Sequence, residues 1–169
     1  MKMSEGVEWA AHCAVLLAYV PDGSALPAVK LAEYHGVPTP YLAKSLQALM
    51  RAGIVDSTPG RYGGYRLARR AEDISLLDIV AAIDGTEPAF RCSEIRRRGP
   101  SAVPARAYSP MCGIATAMGQ AEAAWRETLA AKSVADLARH VMDEAPPAAL
   151  AKGTAWLGRQ LERRSKSIT

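Results

Sequence analysis

Residues Pro38–Arg69 read PTPYLAKSLQALMRAGIVDSTPGRYGGYRLAR, and this stretch decides the fold. Pro40 suits the first turn of a helix that starts after Thr39 and ends at Gly53. Leu42, Leu46, Leu49 and Met50 follow one another at spacings of four, three and one, which predicts a single buried stripe. Tyr41, Lys44, Gln47 and Arg51 fall on the opposite face. Beyond the helix, Ile54–Ser57 and Tyr65–Leu67 flank a glycine-punctuated turn, Thr58–Gly64, and predict a β-hairpin.

The flanking sequence supplies the remaining elements. Upstream, a short helix is expected from Leu26 to Tyr34, closed by His35-Gly36, and a first helix over Val7–Val20, stopped by Pro21-Asp22-Gly23. Downstream, Ser75-x-x-Asp78 has the form of a capping box opening a helix that ends at Asp84-Gly85. Residues 87–111 carry Pro88, Gly99, Pro100, Pro104 and Pro110 and read as irregular. A long helix then runs from Cys112 to Lys132, with Ile114, Met118, Ala121, Trp125 and Leu129 spaced as a partner-facing stripe. Ser133-x-x-Asp136 caps another helix to Met142, Pro146-Pro147 breaks it, and an Ala-rich segment with Arg163, Arg164 and Lys166 follows.

Short helix, tight turn, helix with one polar face, then hairpin: this is the order of a winged helix-turn-helix. The fold expected is mostly α with a small β wing, plus a long dimerisation helix. The expected divisions are a DNA-binding domain at 1–85, an irregular cysteine-bearing loop at 86–111, dimerisation helices at 112–145 and an extension at 146–169. An α-helix fits the major groove of duplex DNA, where polar side chains meet base edges and phosphates. The candidate DNA contacts are Thr39, Tyr41, Lys44, Gln47 and Arg51, with Arg61 and Tyr62 at the hairpin tip reaching a phosphate or the minor groove.

Composition agrees with this reading. The 169 residues are 49% hydrophobic and 22% charged, as a folded core requires, and carry a net charge of +4 that suits a nucleic-acid partner. No apolar run reaches the ~18–20 residues of a membrane helix. The first residues, MKMSEGVEWAAHC, do not read as a signal peptide, and three cysteines do not make a disulfide framework, so a reducing cytoplasm is the expected location. There is no P-loop, GxSxG, HExxH or CxxC, so neither an enzyme nor a small-molecule substrate is expected.

The cysteines leave several readings open. Cys92 and Cys112 bracket nineteen residues of loop, while Cys13 lies in the Ala/Leu-rich first helix and reads as core. Arg91, Arg96, Arg97 and Arg98 around Cys92 would favour a reactive thiolate, hence a Cys92/Cys112 thiol switch. Alternatively the two thiols join nitrogen and oxygen ligands on a [2Fe–2S] cluster, or on zinc. Glu8 and His12, four apart on one helix face, make His12 the histidine that spacing favours, ahead of His35 or His140. Glu8 also fits the ordinary role of a first-turn acid, and His35 that of a cation at a helix C-terminus.

Pro38–Arg69 with its GGYRLAR ending, and ISLLDIVAAIDG at Ile74–Gly85, resemble the IscR/NsrR family of bacterial iron–sulfur transcription regulators. The long helix from Cys112 and the SVADL segment at Ser133–Leu137 resemble its dimerisation region. The likeness spans residues 1–145 and implies a homodimer on a near-palindromic operator in double-stranded DNA. One departure is Pro59, where relatives often carry Arg before the wing glycine, with Arg61 two places later. Another is that Tyr108 and Ser109 stand where a third cysteine is usual. GVEWAAHC at Gly6–Cys13 and PAFRCSEIRRRGP at Pro88–Pro100 are similar to a redox-sensing branch of the family. That resemblance implies a [2Fe–2S] cluster held by Glu8 and His35 of one subunit with Cys92 and Cys112 of the other, and a regulator rather than an enzyme. Mixed ligation of this kind suits reversible redox cycling. Trp9, next to Glu8, is then the candidate that couples the cluster to the DNA-binding lobe.

Overall fold

A computed structural model describes residues 3–60, 63–108 and 112–165. Among the described residues, seven α-helices and one two-stranded sheet follow in the order α1 (Glu5–Ala18), α2 (Ala28–His35), α3 (Thr39–Arg51), β1 (Val55–Thr58), β2 (Gly64–Leu67), α4 (Leu76–Asp84), α5 (Gly113–Ala130), α6 (Val134–Glu144) and α7 (Pro147–Ser165), with three short 3-10 turns between them. The fold is a mostly helical winged helix-turn-helix. Arg61 and Tyr62, at the wing tip, lie outside the described residues, as do Ser109 and Lys166.

The core forms where α1 meets α2, α3, α4 and α6. Cys13, Leu17, Leu31, Leu42, Leu46, Leu49, Ile54, Ile79 and Val134 are all but sealed from solvent within it. Each buried Leu or Ile contributes roughly 1.5–3 kcal/mol by leaving water. Ser4 ties the start of α1 to the end of α4: its backbone N–H and hydroxyl donate to Asp84 at 3.1 and 2.6 Å.

β1 and β2 pair antiparallel from Val55↔Leu67 to Thr58↔Gly64, as the hairpin pattern predicts. Two differences from the expected elements have clear causes. Leu26, expected to open the second helix, instead exchanges backbone hydrogen bonds with Tyr65 at 2.8 and 2.9 Å. It lies so close to β2 that a Cβ on Gly64 would sit 2.5 Å from its carbonyl carbon. The helix therefore starts later, after Pro27, and runs one residue further, to His35. Gly36 ends it in the left-handed conformation (φ 66°), which costs glycine nothing.

The second difference concerns the stripe on α3. Met50 is exposed and Ser45 is buried in its place, because one residue past Leu49 the helix has already turned outward.

Both predicted capping boxes form. The Ser75 hydroxyl accepts from the Asp78 N–H and the Ser133 hydroxyl from the Asp136 N–H, with each aspartate accepting from the serine backbone in return. The two boxes are neighbours, since the Leu76 N–H donates to the Lys132 carbonyl and the Val134 N–H to the Ile74 carbonyl. Along α5, Ile114 and Met118 are solvent-exposed in the single chain. The Ala-rich segment after the Pro146-Pro147 break, to which the sequence reading gave no helix, forms the 19-residue α7.

Candidate functional site

α3 presents its polar face to solvent as its periodicity dictates: Tyr41, Lys44, Gln47 and Arg51 are exposed, and Thr39 begins the helix half-buried. The Lys44 ammonium stands 5.9 Å from the Tyr41 ring centroid. Trp9 of α1 meets the same ring edge-on at 6.5 Å. The residue after Glu8 therefore touches the polar face of α3 directly, a contact between two helices that neither helix's own pattern could reveal.

One helical turn from Trp9 lies the second constellation. His12 of α1 and His35 of α2, rivals for one role when judged by spacing, are neighbours with ring centroids 5.7 Å apart. His12 is exposed, and so is Glu8 one turn before it. His35 is different. Its Nε2 is buried and, among the described residues, has no hydrogen-bond partner. Burial first, and the neighbouring His12 second, pull its pKa down from 6.5 to about 4, so the ring is neutral near pH 7. A neutral imidazole with an unused, water-excluded nitrogen is what a metal ligand requires. A neutral ring does not act as a cation at the α2 C-terminus, the ordinary role its position suggests.

The third constellation is the loop between α4 and α5. Cys92 is exposed and its Sγ accepts from the Glu94 N–H at 3.4 Å. Glu94 adopts the left-handed region (φ 51°), unusual for a residue with a side chain. Its carboxylate is gripped by Arg96 at 2.5 and 2.8 Å, which holds its pKa down. The Arg96 guanidinium lies 5.1 Å from the Tyr108 ring, and the Tyr108 hydroxyl donates to the Arg96 carbonyl while accepting from the Val103 N–H at 3.0 Å. Tyr108, noticed in the sequence only as standing in place of a cysteine, thus folds the loop back on itself.

Cys112 caps α5. The amides of Ala115 and Ile114, then the Arg96 charge, pull its thiol pKa below the usual range. Glu122 of α5 fixes the near side of the loop by accepting from the Ala89 N–H at 2.8 Å, and Arg126 donates to the Thr86 carbonyl at 2.9 Å. Cys13, by contrast, is in the core, and burial pushes its thiol up to about 12. Among the described residues of one chain, no three His, Cys, Asp or Glu side chains are grouped to hold a metal.

With this geometry in view, comparison with known proteins is informative. The model of the Rrf2 family, described as iron-dependent transcriptional regulators, matches residues 3–140. The chain belongs to the Rrf2 family. The protein rrf2 of Nitratidesulfovibrio vulgaris is 34% identical over 127 residues, covering 74% of this chain and 80% of that one. Among solved structures, CymR (YrzC), the global cysteine regulator of B. subtilis, superposes with a TM-score of 0.67 at 21% identity, over 83% of this chain and 98% of its own. IscR of T. potens gives 0.65 at 21% identity, over 86% and 92%.

At those identities the two structures establish the Rrf2 winged-helix fold and nothing finer. The Rrf2 assignment makes this chain a transcription regulator, which implies DNA as its partner, and several relatives, IscR of Vibrio atlanticus among them, are named as transcriptional regulators. Among the described residues no helix is long and apolar enough to cross a membrane. The Rrf2 match stops at residue 140, before α7 begins.

Proposed function

We propose that two copies of this chain form a redox-responsive regulator. In it, Glu8 and His35 of one subunit, with Cys92 and Cys112 of the other, hold a [2Fe–2S] cluster whose oxidation state sets affinity for a near-palindromic operator. The observation that carries this reading is the buried, unpartnered Nε2 of His35, kept neutral by its surroundings. Cys112, biased toward thiolate by the α5 N-terminus and Arg96, fits the sulfur side of the same donor set. The two halves of that set lie on different elements and are not grouped within one chain, so pairing of chains would complete it.

When bound, such a cluster supplies a one-electron change of charge, with histidine ligation raising its potential relative to four thiolates. The rest belongs to the protein. Glu8 and Trp9 are consecutive on α1, and Trp9 bears on Tyr41 of the recognition helix. A shift in the turn that carries Glu8 is therefore delivered to the face that reads DNA. In a dimer the two α3 helices would enter successive major grooves, with half-site centres about 34 Å apart. Arg61 and Tyr62 on the wing would add phosphate or minor-groove contacts.

The test is iron and acid-labile sulfide analysis on protein purified without oxygen, with EPR before and after reduction. About two irons and two sulfides per chain are expected, with a signal only on reduction. DNA binding by fluorescence anisotropy should differ between the two states, and His35→Ala should lose that difference. Zinc in place of iron, or affinity indifferent to redox state in iron-loaded protein, would sink the reading.

The depressed thiol of Cys112 favours a second reading, a Cys92/Cys112 thiol switch without a cluster. Colourless protein whose DNA affinity is reset by dithiothreitol would establish it.

A further inference from the structure

α7 lies outside the segment matched to the family, yet it is docked on the DNA-binding lobe beside His35. The Trp156 indole N–H donates to the Glu33 carboxylate at 3.2 Å, and its ring packs against Tyr34 with centroids 4.8 Å apart. Tyr34 in turn meets the His35 ring edge-on at 5.0 Å. Glu33, Tyr34 and His35 are the last three residues of α2. Trp156 thus grips two of them, and Trp156 and Leu157 also pack on the main core.

Two further features show how closely this contact is fitted. Gly153 sits in the interior of α7, where glycine costs roughly 1 kcal/mol relative to alanine. A Cβ there would meet the Tyr34 hydroxyl oxygen at 2.8 Å, so the helix gives up a side chain where Tyr34 approaches. Tyr34 also lines a cavity of about 340 Å³ shared with Leu16, Tyr19, Leu150 and Leu157. α7 lines that cavity too, so the Tyr34 ring has α7 on one side, through Gly153 and Trp156, and His35 on the other.

We infer that Trp156 is a positioning residue for the His35 ligand: through Glu33 and Tyr34, α7 fixes the last turn of α2 and with it the setting of the His35 imidazole. The inference rests on the reading of His35 as a ligand. It assigns α7 a role in tuning the metal site from outside the ligand shell, as neighbours of metal-bound histidines do.

The test uses the full chain with Trp156→Ala, Trp156→Phe and Gly153→Ala. Hydrogen exchange of the metal-free protein reads the order of α2, and EPR with potentiometry of the iron-loaded protein reads the ligand. Trp156→Ala should speed exchange at the end of α2 by at least about tenfold. It should also displace the EPR g-values and midpoint potential while the iron content stays at the wild-type level. Trp156→Phe, which keeps a ring against Tyr34, should return both readouts toward wild type. Gly153→Ala favours the helix and so cannot be dismissed as unfolding; by pushing on Tyr34 it should produce the same spectroscopic shift.

Faster exchange with unchanged EPR and potential would make α7 merely structural and overturn the inference, as would wild-type exchange in Trp156→Ala. The His35→Ala protein separates this from the parent reading. If that variant alters the cluster spectrum and the α7 variants do not, only the α7 inference fails. If His35→Ala leaves the spectrum unchanged, the ligand reading fails and the inference falls with it.

Discussion

The environment of His35 leads to a quantitative expectation for the metal-free protein. Its ring is half-buried, with Nε2 sealed from solvent and His12 and Tyr34 around it, and its pKa is drawn from 6.5 down to about 4. Well above pH 6.5 the ring is neutral in folded and unfolded chains alike and contributes almost nothing to the pH dependence. As pH falls below 6.5 the unfolded chain takes up a proton that the folded chain refuses, so stability declines until the folded pKa is reached. Linkage caps the loss at roughly 2 kcal/mol at pH 5 and about 3 kcal/mol at pH 4, and solvent screening of the half-buried ring lowers both. Carboxylates with depressed pKa, such as Glu94, Glu122 and Asp136, also lose stability in acid, but below their ordinary range of 3.8–4.5. A comparison between about pH 7.5 and pH 5 therefore isolates the histidine. Urea denaturation of wild type and His35→Gln, at equal protein concentration so that association cancels, gives the measurement. The wild type should lose about 1–2 kcal/mol more than the variant between those pH values. Curves that run parallel to within about 0.5 kcal/mol would refute the argument that His35 is held neutral by burial.

Three further outcomes follow from the same geometry. Leu46→Ala, at a fully buried site on α3, should cost about 2–5 kcal/mol in denaturant unfolding, and a loss below 1 kcal/mol would contradict its burial. Lys44→Ala and Arg51→Ala should each weaken operator binding, and each that neutralises a phosphate should lower the slope of log affinity against log salt by about 1; unchanged slopes and affinities would remove α3 from the interface. In metal-free protein, alkylation of Cys112 should follow an inflection below the ordinary thiol value of 9.0, and Arg96→Ala should move that inflection up; a profile centred at or above 9.0 would refute the electrostatics of the loop.

Local chemistry made much of the fold readable. The Leu42/Leu46/Leu49 stripe, the two Ser-x-x-Asp boxes and the glycine-bounded hairpin are each set by residues within a few positions of one another, and each forms as read. The differences lie where a distant partner decides, as at Leu26, or where a helix turns faster than its apolar run, as at Met50. Leu26 leaves the helix because Tyr65, far along the chain, offers it backbone hydrogen bonds. Met50 turns out because the stripe on α3 is narrower than its run of apolar residues suggests.

At the candidate site, Cys13 could be read as core and Tyr41, Lys44, Gln47 and Arg51 as exposed, because helical periodicity governs both. That His12 and His35 are neighbours, that Trp9 meets Tyr41, and that α7 reaches Glu33 were invisible. These are contacts between separate helices, fixed by how α1, α2, α3 and α7 pack rather than by any spacing along the chain.

The burial of Cys13 has a practical consequence. Its sulfur sits in the middle of α1 with no exposed surface, and its thiol resists ionisation up to about pH 12. Toward a thiol reagent, the folded protein therefore presents two cysteines, not three. The third is counted only when α1 parts from its neighbours, so its slow labelling acts as a stopwatch on that opening. The protein carries its own reporter of core integrity, with no label added, and it can be read in the same reaction that titrates Cys92 and Cys112.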